Sequence, residues 1–228
     1  MQLKRRAVME LKGLTVNFLG DSITEGHSVN DIPNNRYDNV LKELCSLKEV
    51  RNYGVGGTRI AHQFRPSTEA RWDLNFCGRA EKMNPNADIV VVFGGTNDYG
   101  HGDAPFGKLG DTDRGTYCGA VRWLMQKLND MYPDSLIVFM TPARRLGDLE
   151  RSASLHRCYP SEVLKAYVDV IIETAKDFDI KVLDLYSTLG IDPNIQEDRV
   201  KYTAEGLHFN DAGHRVIARR LKEFLEAL

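Results

Sequence analysis

The chain has 228 residues, of which 42% are hydrophobic and 27% charged, enough for one domain with a sizeable core. Its formal net charge is −2 with acidic and basic residues mixed, which argues against a nucleic-acid binder; the Lys4-Arg5-Arg6 triplet is too short to act as a polybasic tail. No apolar run approaches the roughly 18 residues of a membrane span, and Glu10 and Lys12 interrupt Ala7–Leu14, so no secretory leader is expected.

In chain order, Leu14–Leu19, Val50–Tyr53, Ile89–Phe93, Leu136–Met140 and Val182–Leu185 read as short buried strands, rich in Val, Ile, Leu and Phe. Helical patterns lie between and after them. Tyr117, Val121, Leu124, Leu128 and Met131 recur at three- and four-residue steps. So do Val163, Tyr167, Val170, Ile171 and Thr174, and again Ile217, Leu221, Phe224 and Leu228. Strand–helix alternation predicts an α/β fold, a parallel sheet with helices on both sides. No repeat, low-complexity segment or linker interrupts it, so residues 1–228 are expected to form a single domain. Tyr99–Gly115 and Tyr186–Asn210 are long for plain connections, and the Gly- and Asp-rich first stretch is a candidate mobile wall of a pocket.

The four cysteines, Cys45, Cys77, Cys118 and Cys158, lie far apart with no CxxC pair. That spacing disfavours zinc and thioredoxin-type sites, and fits reduced thiols in a cytoplasmic protein.

A doubly wound sheet holds its ligand outside the carboxyl ends of its strands. The first strand runs into Gly20-Asp21-Ser22-Ile23-Thr24-Glu25-Gly26, the second into Asn52-Tyr53-Gly54-Val55-Gly56-Gly57, and the third into Gly94-Gly95-Thr96-Asn97-Asp98. Glu205-Gly206-Leu207-His208-Phe209-Asn210 precedes the last helical pattern. These segments contain what acyl transfer needs. Ser22 is a hydroxyl nucleophile and His208 a base that titrates near neutrality. The Ser22 N–H, the Gly57 N–H and the Asn97 amide are donors for an oxyanion. Taken singly, each residue has a structural alternative. Ser22 through Glu25 fit a capping box, Gly57 a turn glycine, and Asn97 a loop or cap residue. Their joint placement at one sheet edge favours the chemical reading.

With these four blocks in this order, the chain resembles the SGNH hydrolases, the GDSL-type esterases and lipases, over most of its length. The resemblance implies a flavodoxin-like three-layer α/β/α sandwich with a central parallel sheet of about five strands. It also implies Ser22 as nucleophile, His208 as base, a Ser22, Gly57 and Asn97 oxyanion hole, no metal and no cofactor. The chain departs from the family pattern at one point: Glu205 stands where the family usually carries an aspartate. Glu205 is expected to orient His208, ahead of Asp184 and Asp211. No G-x-S-x-G surrounds Ser22, so the nucleophile elbow of the α/β-hydrolases is not expected.

The expected activity is hydrolysis of a short-chain, acetyl-sized ester, with a small-molecule or carbohydrate acyl ester as substrate. Thioesterase and lysophospholipase activities are the enzymatic alternatives. Asp21, Tyr99 and Arg59 are candidate substrate contacts, and Trp72 and His101 lie close to the same blocks. A non-catalytic flavodoxin-like binding domain is the alternative of another class. The absence of G-x-x-x-x-G-K-[ST] and of the dinucleotide fingerprint gives it no support.

Overall fold

The computed structural model describes residues 9–154 and 157–228; the Lys4-Arg5-Arg6 triplet and the start of the Ala7–Leu14 stretch lie outside them. Five strands, β1 (Thr15–Gly20), β2 (Glu49–Gly54), β3 (Ile89–Phe93), β4 (Leu136–Met140) and β5 (Lys181–Leu183), form one parallel sheet in the order β2-β1-β3-β4-β5. The helices are α1 (Ser22–Glu25), α2 (Ile32–Asn35), α3 (Tyr37–Cys45), α4 (Phe76–Ala80), α5 (Thr96–Gly100), α6 (Tyr117–Met131), α7 (Leu164–Lys176), α8 (Leu185–Thr188), α9 (Gln196–Tyr202) and α10 (Asp211–Glu226).

Successive strand residues point to opposite faces, and the two cores follow that alternation. Leu19, Val90, Val92, Ile137 and Phe139 pack under α4, α6 and α7. Val16, Phe18, Ile89, Val91, Phe93, Val138 and Met140 pack under α3, α8 and α10. The result is the three-layer α/β/α sandwich expected from the sequence. Burial of one such Leu, Ile, Val or Phe side chain stabilises the fold by about 1.5–3 kcal/mol, so two-sided burial of the central strands carries much of the fold.

Two strand expectations need correction. Val182–Leu185 is too long at its end: Asp184 accepts a hydrogen bond from the Ser187 N–H and starts α8 at Leu185. The second strand is half-buried along its length rather than buried, because it forms an edge of the sheet. The predicted helical faces differ only in detail. Leu164, next to the predicted Val163, is the first buried residue of α7, and Leu225 is more buried than Phe224 in α10. The Tyr186–Asn210 stretch contains the end of α8 and all of α9, so it is not irregular. In the other long stretch, Asp103 accepts the Phe64 and Arg65 N–H groups and the Arg114 carbonyl accepts the His62 N–H. That wall is therefore tied to the segment after β2.

From β1 the sheet grows in opposite directions, to β2 on one side and β3 on the other. The crevice at such a reversal is where an open α/β sheet places its ligand. Ser22 follows β1, Gly57 follows β2 and Asn97 follows β3.

Candidate active site

The turn that presents Ser22 requires glycine at the end of β1. A Cβ on Gly20 would lie 1.9 Å from Thr24 Oγ1, so no other residue permits the chain to fold from β1 straight into α1. Asp21, not Ser22, caps this short helix, its Oδ1 accepting the Ile23 N–H at 3.0 Å. The capping-box alternative therefore fails. Glu25 does not reach back to the cap either; its Oε2 accepts the Gly56 N–H at 2.9 Å and its Oε1 pairs with Arg71 at 2.6 Å. The Ser22 hydroxyl is left for another partner, and Ser22 Oγ lies 2.9 Å from His208 Nε2.

His208 is held in a closed loop. Thr203 and Phe209 form an antiparallel bridge, the Ala204 N–H donates to the His208 carbonyl, and Phe209 is buried beside it. Asn210 then caps α10 by accepting the Ala212 and Gly213 N–H groups. Glu205 Oε1 accepts both the His208 N–H at 2.9 Å and Nδ1–H at 2.5 Å. A carboxylate on Nδ1 keeps the proton there and leaves the Nε2 lone pair facing Ser22. The extra methylene of glutamate thus still reaches the imidazole. Asp184 and Asp211 are engaged elsewhere: Asp184 with Thr141 and Ser187, Asp211 with Asn30 and Asn35.

The three expected oxyanion donors come from different strand ends but share contacts. A Cβ on Gly56 would lie 3.5 Å from Ser22 Cβ, so the loop after β2 packs directly on Ser22. Gly57 has φ +76° and the indole of Trp72 fills the space where its Cβ would be. Asn97 is buried on α5, and its Nδ2 donates to the Thr58 carbonyl at 3.0 Å, which leaves its second amide hydrogen. Among the described residues, neither the Ser22 N–H nor the Gly57 N–H donates to a protein acceptor.

Burial lowers the proton affinity of His208, with Glu205 opposing that shift and the nearby His27 and Arg145 adding to it. The His27 ring lies against His208 with centroids 4.2 Å apart. The imidazole is therefore neutral near pH 7 and able to accept a proton. Burial pushes Asp21 up to about 7 although Arg79 opposes this, and pushes Asp98 up to about 6 against two backbone N–H donors. Among the described residues, no group of three His, Cys, Asp or Glu side chains is placed to hold a metal ion.

The three candidate substrate contacts occupy supporting positions. Asp21 is 1% exposed and caps α1. Tyr99 is buried and its hydroxyl faces the Gly147 and Glu150 carbonyls, so it holds the 147–150 loop instead of facing a ligand. Arg59 is 2% exposed, pairs with Asp73 at 3.1 Å and borders a cavity beside the site. Sequence reasoning missed Arg79, whose half-buried side chain donates to the Gly20 carbonyl at 3.0 Å, to Thr58 Oγ1 at 2.8 Å and to the Tyr53 carbonyl. It braces the ends of β1 and β2 under the loop that carries Gly57. It missed Arg145 as well, which donates to Thr96 and lies over the Tyr99 ring. Neither arginine belongs to a local pattern that marks such a role, so only the folded chain reveals them.

The chain resembles proteins of known structure along nearly its whole length. One solved structure is 31% identical, covering 96% of this chain and 99% of its own, with a TM-score of 0.83. A Lactobacillus plantarum protein is 28% identical over 95% of this chain and 98% of its own, with a TM-score of 0.79. A structure described as a possible lipase from Chitinophaga pinensis is 22% identical, covers 92% and 96%, and has a TM-score of 0.68; at that identity it speaks for the fold alone. No curated protein matches the sequence. The model of the GDSL-like Lipase/Acylhydrolase family matches residues 18–216, from inside β1 into α10, and so spans both the serine turn and the histidine loop. This chain belongs to that family and is a hydrolase of the esterase and lipase type.

Proposed function

We propose that the protein is a carboxylic ester hydrolase that removes short, acetyl-sized acyl groups through an acyl-Ser22 intermediate. The observation that supports this most is the relay from Glu205 through His208 to Ser22, with contacts of 2.5 and 2.9 Å. In the first half-reaction, Ser22 Oγ forms a bond to the ester carbonyl carbon while its proton passes to His208 Nε2. The oxyanion takes hydrogen bonds from the Ser22 and Gly57 N–H groups and the second Asn97 amide hydrogen. Glu205 holds the imidazolium. The C–O bond to the alcohol then breaks, and the proton on His208 moves to the departing oxygen. In the second half, water gives a proton to His208 and its oxygen attacks the acyl carbon. Collapse returns the serine hydroxyl and releases the acid.

The cavity beside the site pairs mostly polar walls with Trp72 and Pro66, and is not the apolar groove that the long acyl chain of a thioesterase or lysophospholipase substrate needs. The complete relay counts against a binding-only domain. Four unpaired thiols support a reducing, cytoplasmic setting.

The test is hydrolysis of p-nitrophenyl esters of rising acyl length by wild type and Ser22→Ala. Wild-type turnover that is greatest on acetate and abolished in Ser22→Ala is the expected result. Equal activity in the two proteins removes Ser22 from the mechanism, and a clear preference for long chains removes the acetyl assignment.

A further inference from the structure

We propose that the cavity behind Trp72 is a monosaccharide subsite, which seats the sugar ring that carries the ester and turns its acyl group towards Ser22. Only the ester part of this inference rests on the hydrolase reading above; sugar binding is tested without catalysis.

The cavity has a volume of about 300 Å³ and its walls include Arg59, Arg65, Ser67, Trp72, His101 and Asp103. That size is at the low end for ligand pockets, room for about one ring. Its place is set by contacts with the loop after β2, which packs on Ser22. Gly56 packs on Ser22, with its Cβ position 3.5 Å from Ser22 Cβ. At Gly57, the next residue, a Cβ would fall 2.0 Å from Trp72 Cδ1, so the indole lies against the backbone there. One residue of chain, about 3.8 Å, separates the residue that touches Ser22 from the residue that touches the indole. The loop after β2 therefore touches both Ser22 and the cavity wall, which places the cavity next to the serine turn.

Trp72 is held in place from both sides. It sits in a single 3-10 turn, Ala70–Asp73. Arg71 ties that turn to Glu25 of α1, and Glu25 also holds the Gly56 N–H. Asp73 ties the other end to Arg59 and to Ser67, whose hydroxyl donates to Asp73 at 2.7 Å. His101 closes against the indole with ring centroids 4.6 Å apart. None of the acyl-transfer steps requires this segment. It forms a prebuilt wall, and preorganised walls cost little ordering when a ligand binds.

The chemistry of the walls selects the ligand. Both guanidinium groups are already compensated: Arg59 lies 3.1 Å from Asp73 and Arg65 lies 3.5 Å from Asp103. Asp98 and Asp103 lie within Coulomb range of Arg59 as well. A carboxylate or phosphate ligand would therefore meet no unbalanced positive charge. An alkyl chain would strip water from three charged side chains, Arg59, Arg65 and Asp103, without replacing their hydrogen bonds. A pyranose suits both kinds of wall. Its C–H face stacks on an aromatic ring, and its hydroxyls both donate and accept at an edge built from guanidinium, hydroxyl, imidazole and carboxylate groups.

The test has two arms. In the first, Ser22→Ala protein is titrated with methyl pyranosides, sodium acetate and inorganic phosphate, with tryptophan emission as the readout. Trp72 is one of only two tryptophans. A saturable response to a methyl pyranoside that weakens in His101→Ala, which keeps the Trp72 indole as reporter, is expected. No response to any sugar, or a stronger response to phosphate or acetate, overturns the proposal. In the second arm, kcat/KM is measured on an acetylated methyl pyranoside and on ethyl acetate, which has no ring to seat. The ratio of the two is expected to fall about tenfold or more in Trp72→Ala and His101→Ala, mostly through KM, with partial recovery in Trp72→Phe. Equal losses on both esters would mean that Trp72 only props Gly57, and the subsite is then wrong. If wild type hydrolyses no ester while the sugar titration still saturates, the hydrolase reading fails and the subsite stands.

Discussion

Substitution of Glu205 separates two roles that one oxygen performs. Oε1 alone accepts both the His208 backbone N–H and Nδ1–H, at 2.9 and 2.5 Å. The amide oxygen of glutamine can accept the same two bonds, so Glu205→Gln keeps the ring orientation and tautomer while removing the charge. Glu205→Ala removes both. A hydrogen bond to a charged group contributes about 1.5–3 kcal/mol, against about 0.5–1.5 for a neutral one. The charge alone is therefore worth about 1–1.5 kcal/mol, roughly tenfold in rate. The Glu205 side chain is 50% exposed, and solvent screening keeps this at the lower end. Loss of the orienting acid in a buried triad costs on the order of 10⁴. Glu205→Ala in this half-exposed setting is expected to cost about 10²–10³. The assay is kcat/KM on p-nitrophenyl acetate across pH. Glu205 raises the His208 pKa while burial lowers it. The base must be neutral to act, so activity falls as pH drops through that pKa. Removing the Glu205 charge should move the acid limb to lower pH. An alanine variant within tenfold of wild type with an unmoved acid limb would refute the reasoning.

Further outcomes are expected at neighbouring positions. Asn97→Ala should lower kcat about 10²–10³-fold, and should also lower the melting temperature because the Thr58 carbonyl loses its donor; a rate within tenfold removes Asn97 from the oxyanion hole. Gly57→Ala should cost about 1–2 kcal/mol from the left-handed backbone alone, and more because its Cβ would overlap Trp72; denaturant unfolding that matches wild type would contradict the packing at this turn. Asp21 titrates at about 7 in the fold, well above the ordinary 3.8. The native state therefore holds a proton that the unfolded chain releases, and this contribution to stability declines as pH rises from about 4 to 7. Asp21→Asn keeps the bond from the Ile23 N–H and should remove that decline, so the variant gains on wild type by an amount on the order of a few kcal/mol across the window. An unchanged difference between pH 4 and 8 would show that Asp21 does not carry the buried proton.

Much of this molecule is set by short-range pattern. Apolar runs such as Ile89–Phe93 and the periodic faces of α6 and α10 report their own burial, because a strand covered on both sides and a helix covered on one have different spacings. The sequence alone therefore determined the layer architecture, the strand count and the four blocks that meet at the sheet edge. It also marked Glu205 as the residue that differs from the family pattern. What it left open depended on groups distant along the chain. Whether Ser22 caps a helix or faces His208, 186 residues away, depends on Asp21 taking the cap and on the Thr203–Phe209 bridge aiming the ring. That Tyr99 and Asp21 turn inward, and that Arg79 braces two strand ends from 59 and 26 residues away, follows from burial and from unsatisfied carbonyls at the sheet edge. The wall formed by Trp72, Arg59 and His101 likewise exists only once the segment after β2 folds back against α1 and α5. No local periodicity encodes such contacts, because their partners are selected by the packed chain and by its need to pair each buried polar group.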